Sequence, residues 1–147
     1  MLRVVFDVNV LVSSLITKGK PRKLWFKARR KSFALILSKE IISEFVKVMS
    51  REKFSRYVNE EDLRVFLQAL YETALLVKTR SRFKIMKEDP EDDMVLRTAY
   101  DSKADYIVSG DKHLLSLREF EGIRIVSVDE MLKILEGKKL KPSFSLF

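Results

Sequence analysis

Four acidic residues stand where alternating strands and helices would bring carboxylates together, and the chemistry open to such a set is divalent-metal binding. Asp7 ends the apolar run Leu2-Arg3-Val4-Val5-Phe6, and Asp111 follows Tyr106-Ile107-Val108-Ser109-Gly110. In an open parallel sheet the binding site lies beyond the carboxyl ends of the strands, so acids just past a strand are the first candidates. Aspartate also commonly caps the helix that follows a strand, so either residue alone has a purely structural account. Glu44 lies on a helical pattern whose apolar stripe is Ile41, Ile42, Phe45, Val46 and Met49; it falls on the flank of that stripe, with Glu40 expected on the far side. Its bland alternative is a solvated pair with Lys47. The fourth acid comes from Asp89-Pro90-Glu91-Asp92-Asp93-Met94. Helix starts favour acids generally, but Asp92 shares a face with Val95, Leu96 and Ala99, whereas Asp93 turns toward Arg97 and Tyr100. A carboxylate on a buried face is costly unless compensated, and a cation would compensate it. Asp92 is therefore the expected ligand, with Asp89 and Asp93 auxiliary or structural.

The rest of the composition narrows the metal. There is no cysteine and one histidine, His113, so thiolate and multi-histidine sites are excluded within one chain. Oxygen ligands suit Mg²⁺ or Mn²⁺, ions that support phosphoryl chemistry. For His113, ordinary surface or helix-start packing is expected.

The elements that must position these acids follow from hydrophobic period and turn residues. Short apolar runs alternate with segments of helical period, the pattern of βαβ units and a parallel sheet. Strands are expected at 2–6, 33–37, 75–78, 106–109 and 124–127. Helices are expected at 9–16, from the Gly19-Lys20-Pro21 turn, from Ser38 to about Ser50, from Asn59 to about Thr73, from Asp89-Pro90 through Tyr100, and at 128–135. Asn59 before Glu60, Glu61 and Asp62 is a strong helix start, and Ser127 with Glu130 fits a capping box.

The 147 residues suit one domain, here 1–147, with a basic tail over 137–147 that is either mobile or docks through Phe144, Leu146 and Phe147. No apolar run approaches the roughly 20 residues needed to span a bilayer, and the N-terminus does not read as a secretory signal, so a cytoplasmic location is expected. The net charge of +8 favours a polyanionic partner, nucleic acid first. Lys18, Lys20, Arg22, Lys23, Lys27, Arg29, Arg30 and Lys31 form a block without one acid, fit to track a phosphate backbone. Trp25 and Phe26 would either stack on bases or belong to a solvated helix whose Leu24, Trp25 and Ala28 pack inward.

These motifs resemble those of the PIN-domain family, in particular its compact prokaryotic branch of VapC-like toxin components. The likeness rests on Val4-Val5-Phe6-Asp7-Val8-Asn9 with Val10 to Ser14, on Glu44 in Ser38 to Phe45, on Asp89 through Ala99, and on Ala104 through Leu115 with its Ser109-Gly110-Asp111. The resemblance implies a three-layer α/β/α sandwich with a central parallel sheet, and Mg²⁺- or Mn²⁺-dependent endoribonuclease activity. It makes Asp7, Glu44, Asp92 and Asp111 the catalytic metal ligands, directly or through water, with Asn9 and Ser109 orienting them. It also implies an RNA substrate, a homodimer, and an antitoxin protein that occludes the site. Two rivals stand beside it. Aspartyl-phosphate chemistry needs a second aspartate two residues after the first, where this chain has Asn9, or paired acids near the first strand. A non-catalytic RNA-binding or regulatory module would have no use for carboxylates facing phosphate.

Overall fold

The computed structural model describes residues 1–87 and 89–137. The basic tail anticipated over 137–147 therefore lies, beyond Gly137, outside the described residues. Six strands form one sheet: β1 (Arg3–Phe6), β2 (Ala34–Ser38), β3 (Leu75–Val77), β4 (Tyr106–Val108), β5 (Glu119–Phe120) and β6 (Ile123–Val126), in the order β3-β2-β1-β4-β6-β5. Among the described residues, eight helices surround it: α1 (Val8–Ile16), α2 (Lys20–Arg29), α3 (Lys39–Met49), α4 (Glu52–Ser55), α5 (Glu60–Thr73), α6 (Pro90–Ser102), α7 (Lys112–Leu117) and α8 (Val128–Leu135). This is the expected α/β/α architecture. Val4, Val5, Phe6 and the run Leu35–Ser38 are buried on both faces, as strands inside a covered parallel sheet must be.

The sheet is not wholly parallel. β5 pairs antiparallel with β6 through a two-residue turn, Glu121-Gly122, with φ of 50° and 82°. Two consecutive positive φ values fit the tight hairpin geometry that matches strand twist, and the glycine meets this need without strain. The elements expected from sequence do not include this strand, α4 or α7, because two to six residues carry too little periodicity to register.

Local chemistry explains the longer elements. Ser38, Asn59 and Ser127 cap α3, α5 and α8 through their side chains, the last with the reciprocal Glu130 bond anticipated from sequence. α6 carries proline at its first position and packs against β1, β2, β3 and β4, so its buried face spans the middle of the sheet. Trp25 and Phe45 each meet Phe66, with ring centroids 5.1 and 5.6 Å apart, joining α2, α3 and α5.

The connection from β3 to α6 has no regular hydrogen-bonded structure through residue 86, and α6 ties it down. Asp101 accepts from the backbone N–H of Arg80 and Ser81 at 2.6 and 3.0 Å; Asp93 Oδ1 accepts from those of Ile85 and Met86 at 2.9 and 3.0 Å. Of the two roles open to Asp93, auxiliary to the metal set or structural, these bonds supply the structural one, a buried backbone clamp. It faces a segment without secondary structure, whose N–H groups need acceptors when buried. Asp93→Ala should cost about 1–3 kcal/mol in chemical denaturation, with faster amide exchange at Ile85 and Met86; unchanged exchange at both amides would remove the clamp role.

Candidate metal centre

β1 and β4 are neighbours, with Phe6 paired to Val108, so the residues that follow them emerge side by side. Asp7 caps α1, its Oδ1 accepting from the Val10 N–H at 2.9 Å, while its Oδ2 accepts from the Ser109 hydroxyl. The Ser109 oxygen in turn accepts from the Asp111 N–H at 2.9 Å. One buried hydroxyl therefore links the two strand-end aspartates. Asp111 caps α7 through Oδ1, which accepts from His113 and Leu114 N–H at 2.7 and 3.2 Å. Both aspartates are helix caps, the structural role weighed for them above. A capping carboxylate still has a second oxygen, so capping and metal binding are compatible.

Asp92 arrives from the first turn of α6. It is 6% exposed, and its Oδ2 is buried without a hydrogen-bond partner. Burial pushes its carboxyl up to about 7, helped by the charges of Asp111, Asp89 and Asp7. Asp7 is pushed up to about 6, again chiefly by burial, against the hydrogen bonds from Ser109 and Val10. A buried carboxylate oxygen with no donor, facing other carboxylates, is what a cation would satisfy. One ligand atom from each of Asp89, Asp92, Asp111 and His113 falls within 4.8 Å of the others. These residues fit a divalent ion. Asp89, Asp92 and Asp111 line a pocket of about 170 Å³ together with Asp7, Asn9, Arg51, Lys53 and Glu91.

Glu44 lies elsewhere. It lines a neighbouring depression of about 320 Å³ with Glu40, Ser81, Glu91 and Arg97, and its buried Oε2 has no hydrogen-bond partner. Glu91 lines both hollows, and its carboxyl is raised by burial and by the charge of Glu44. Of the four acids anticipated, Asp92 and Asp111 lie in the cluster with Asp89 and His113, Asp7 lines the pocket beside them, and Glu44 lines the neighbouring hollow. Glu40 also departs from expectation by sharing the hollow with Glu44. Residues four apart on a helix differ by only about 40° around its axis, so the two glutamates must face the same way.

The basic block is largely spent on packing. Lys20 pairs with Asp129 at 2.5 Å and Lys23 with Glu136 at 3.6 Å. Arg22 donates to the carbonyls of Ser14 and Leu15, Arg29 to Thr73 and Glu72, and Lys31 to the Thr73 carbonyl. Lys18, Arg22 and Arg29 border a groove with Trp25 and Phe26, whereas Lys27 is half-buried and Arg30 exposed. Trp25 is buried and Phe26 is 53% exposed, so only Phe26 presents a ring to solvent. The cations that line the acidic pocket are Arg51 and Lys53, which the sequence reading did not single out. His113 lies at the start of α7 with a ring nitrogen in the cluster; its position two residues after a strand-end aspartate was the available signal of that placement.

Residues 3–113 match the family model described as PIN domain. Among solved structures, the chain is similar to PAE2754 from Pyrobaculum aerophilum, with a TM-score of 0.65 at 14% identity over 93% of this chain and 91% of that one. It is also similar to VapBC2 from Rickettsia felis bound to a DNA fragment from their promoter, with a TM-score of 0.58 at 12% identity over 86% and 98%. At such identities the likeness is one of fold. No curated protein matches the sequence closely.

The raised carboxyls make the metal-free protein sensitive to pH. Asp7 and Asp92 ionise near 3.8 when unfolded and near 6 and 7 when folded, so the folded chain holds more protons between these values. Their contribution to stability is complete below the lower value and is lost as pH rises through the folded values. With chelator present, the Tm advantage of Asp92→Asn over the unaltered protein should be small at pH 4 and grow to its maximum above pH 7. An advantage independent of pH would show that Asp92 is not held against its own charge.

Proposed function

The chain belongs to the PIN-domain family, and from that premise and the acidic pocket we propose that it is a metal-dependent endoribonuclease acting as the toxin of a toxin–antitoxin pair. The observation that carries this reading is the buried, unpartnered Asp92 oxygen among converging carboxylates. Asp92, Asp111 and Asp89 would hold Mg²⁺ or Mn²⁺, with Asp7 beside them; Glu44, one hollow further out, would reach the ion through water. A divalent ion bound there would lower the pKa of a water and stabilise charge on the departing oxygen during phosphodiester hydrolysis.

The chain's own groups do the positioning. Ser109 fixes the Asp7 carboxylate, and the α7 cap fixes Asp111, so neither must be ordered when substrate arrives. Arg51 and Lys53 line the same pocket and supply the positive charge that admits an RNA phosphate beside carboxylates. Asn9, exposed at the start of α1, borders the entrance. Lys18, Lys27, Arg30 and the exposed Phe26 remain candidates for holding more distant stretches of the strand.

The partner proposals rest on the family resemblance, and the fold likeness to a VapBC2 structure adds to them. An antitoxin protein would cover the acidic pocket, and a second copy would complete a homodimer. No described helix is long and apolar enough to cross a membrane; we place the protein in the cytoplasm.

Cleavage of a mixed single-stranded RNA pool is expected with Mn²⁺, is expected to stop with EDTA, and should be lost in an Asp7→Asn/Asp92→Asn double variant. Binding without cutting, unaltered by both substitutions, would make the protein a non-catalytic RNA-binding module. Within the active reading, Ser109→Ala should lower activity by about 10–100-fold, since it frees Asp7 without removing a carboxylate.

A further inference from the structure

We infer that His113 is a nitrogen ligand of the proposed metal centre, and that it tunes the site toward first-row transition ions and away from Mg²⁺. The inference rests on the metal-binding reading of the pocket and goes beyond it, because the carboxylates alone describe a site for hard cations.

His113 occupies the first turn of α7, two residues after Asp111. Its backbone N–H donates to Asp111 Oδ1 at 2.7 Å, and its ring Nδ1 lies 4.0 Å from the same oxygen. That backbone bond fixes where the side chain starts, and the imidazole reaches the space shared by Asp89, Asp92 and Asp111. The ligand atoms of all four residues lie within 4.8 Å of one another. Ligands about 2.1 Å from an ion can be separated by at most twice that, roughly 4.2 Å, so closure needs a contraction of about half an ångström. His113 is exposed and Asp111 half-buried, so rotation of a surface side chain supplies that movement without disturbing the core. The buried Asp92 Oδ2, which has no hydrogen-bond partner, is the independent sign that a ligand belongs beside these side chains.

The consequence is selectivity. An imidazole nitrogen adds little to a site for Mg²⁺, which prefers oxygen and keeps its water, and more to Mn²⁺ and the later ions of its row. Three carboxylates with one imidazole therefore discriminate where four carboxylates would not.

The chain contains a single histidine, so the test is unambiguous in protein without an added histidine tag. Pulsed EPR of Mn²⁺ bound to the full chain should show nitrogen coupling from one imidazole, and His113→Gln should abolish it. Calorimetry should show Mn²⁺ affinity falling about 10-fold in that variant while Mg²⁺ affinity changes less than about 2-fold. Mn²⁺ bound without imidazole coupling, or an unchanged ratio of the two affinities, would overturn the role of His113 and leave the carboxylate site standing. If Mn²⁺ fails to bind the unaltered protein at all, both the inference and the metal-centre reading fall.

Discussion

Burial of Asp7 and Asp92 beside Asp111 pushes their carboxyls up to about 6 and about 7, and the charges of the neighbouring aspartates add to the shift. Much of the architecture around the pocket answers that problem. Three helices begin at the pocket: Asp7 caps α1, Asp111 caps α7, and Asp92 lies in the first turn of α6. Helix N-termini carry partial positive charge and unsatisfied N–H groups, so each carboxylate is held where the local field favours it. Ser109 completes the arrangement by giving its proton to Asp7 and accepting from the backbone of Asp111. What the scaffold leaves unsatisfied, above all the inner oxygen of Asp92, is what the proposed ion would satisfy.

The same logic separates the protein's charges by task. A surplus of eight positive charges says that a polyanion is welcome but not where. The densest basic stretch, in and beside α2, spends Lys20, Lys23, Arg22 and Arg29 on helix-to-helix contacts. Such exposed pairs contribute little stability individually, and they do shift charge away from ligand binding. Two unremarked residues after α3, Arg51 and Lys53, face the acids instead. Composition gives the sign of the expected partner; only the fold shows which cations line the acidic pocket.

What could be read from the chain alone follows the same division between local and distant effects. Ser38, Asn59, Ser127 and Pro90 mark helix starts because their action is confined to a few neighbouring residues. Asp7 and Asp111 were legible because strand ends in a parallel sheet converge by topology. Asp92 was legible because its helical face was otherwise apolar. Which of its two expected roles Asp93 takes was not legible, since its partners Ile85 and Met86 belong to a segment with no period of its own. Glu44 was grouped with the strand-end acids, yet the distance between two hollows on one surface is set by how α3 and α6 pack. No pattern within either helix contains that distance.

The order of strands also has a temporal meaning. Asp7 stands beside β1 in the middle of the sheet, while its hydrogen-bond partner Ser109 lies 102 residues further along the chain. β2 and β3 can join β1 first, but β4, which carries Ser109 and leads to Asp111, can arrive only after α6 has crossed the sheet. Contacts so remote in sequence carry a large loop-closure entropy and depend on earlier structure to form. During synthesis the amino-terminal part of the chain would therefore leave the ribosome with its acids still apart. The pocket comes into being only when the chain has grown past residue 111, so whatever chemistry it performs is withheld from every shorter nascent fragment.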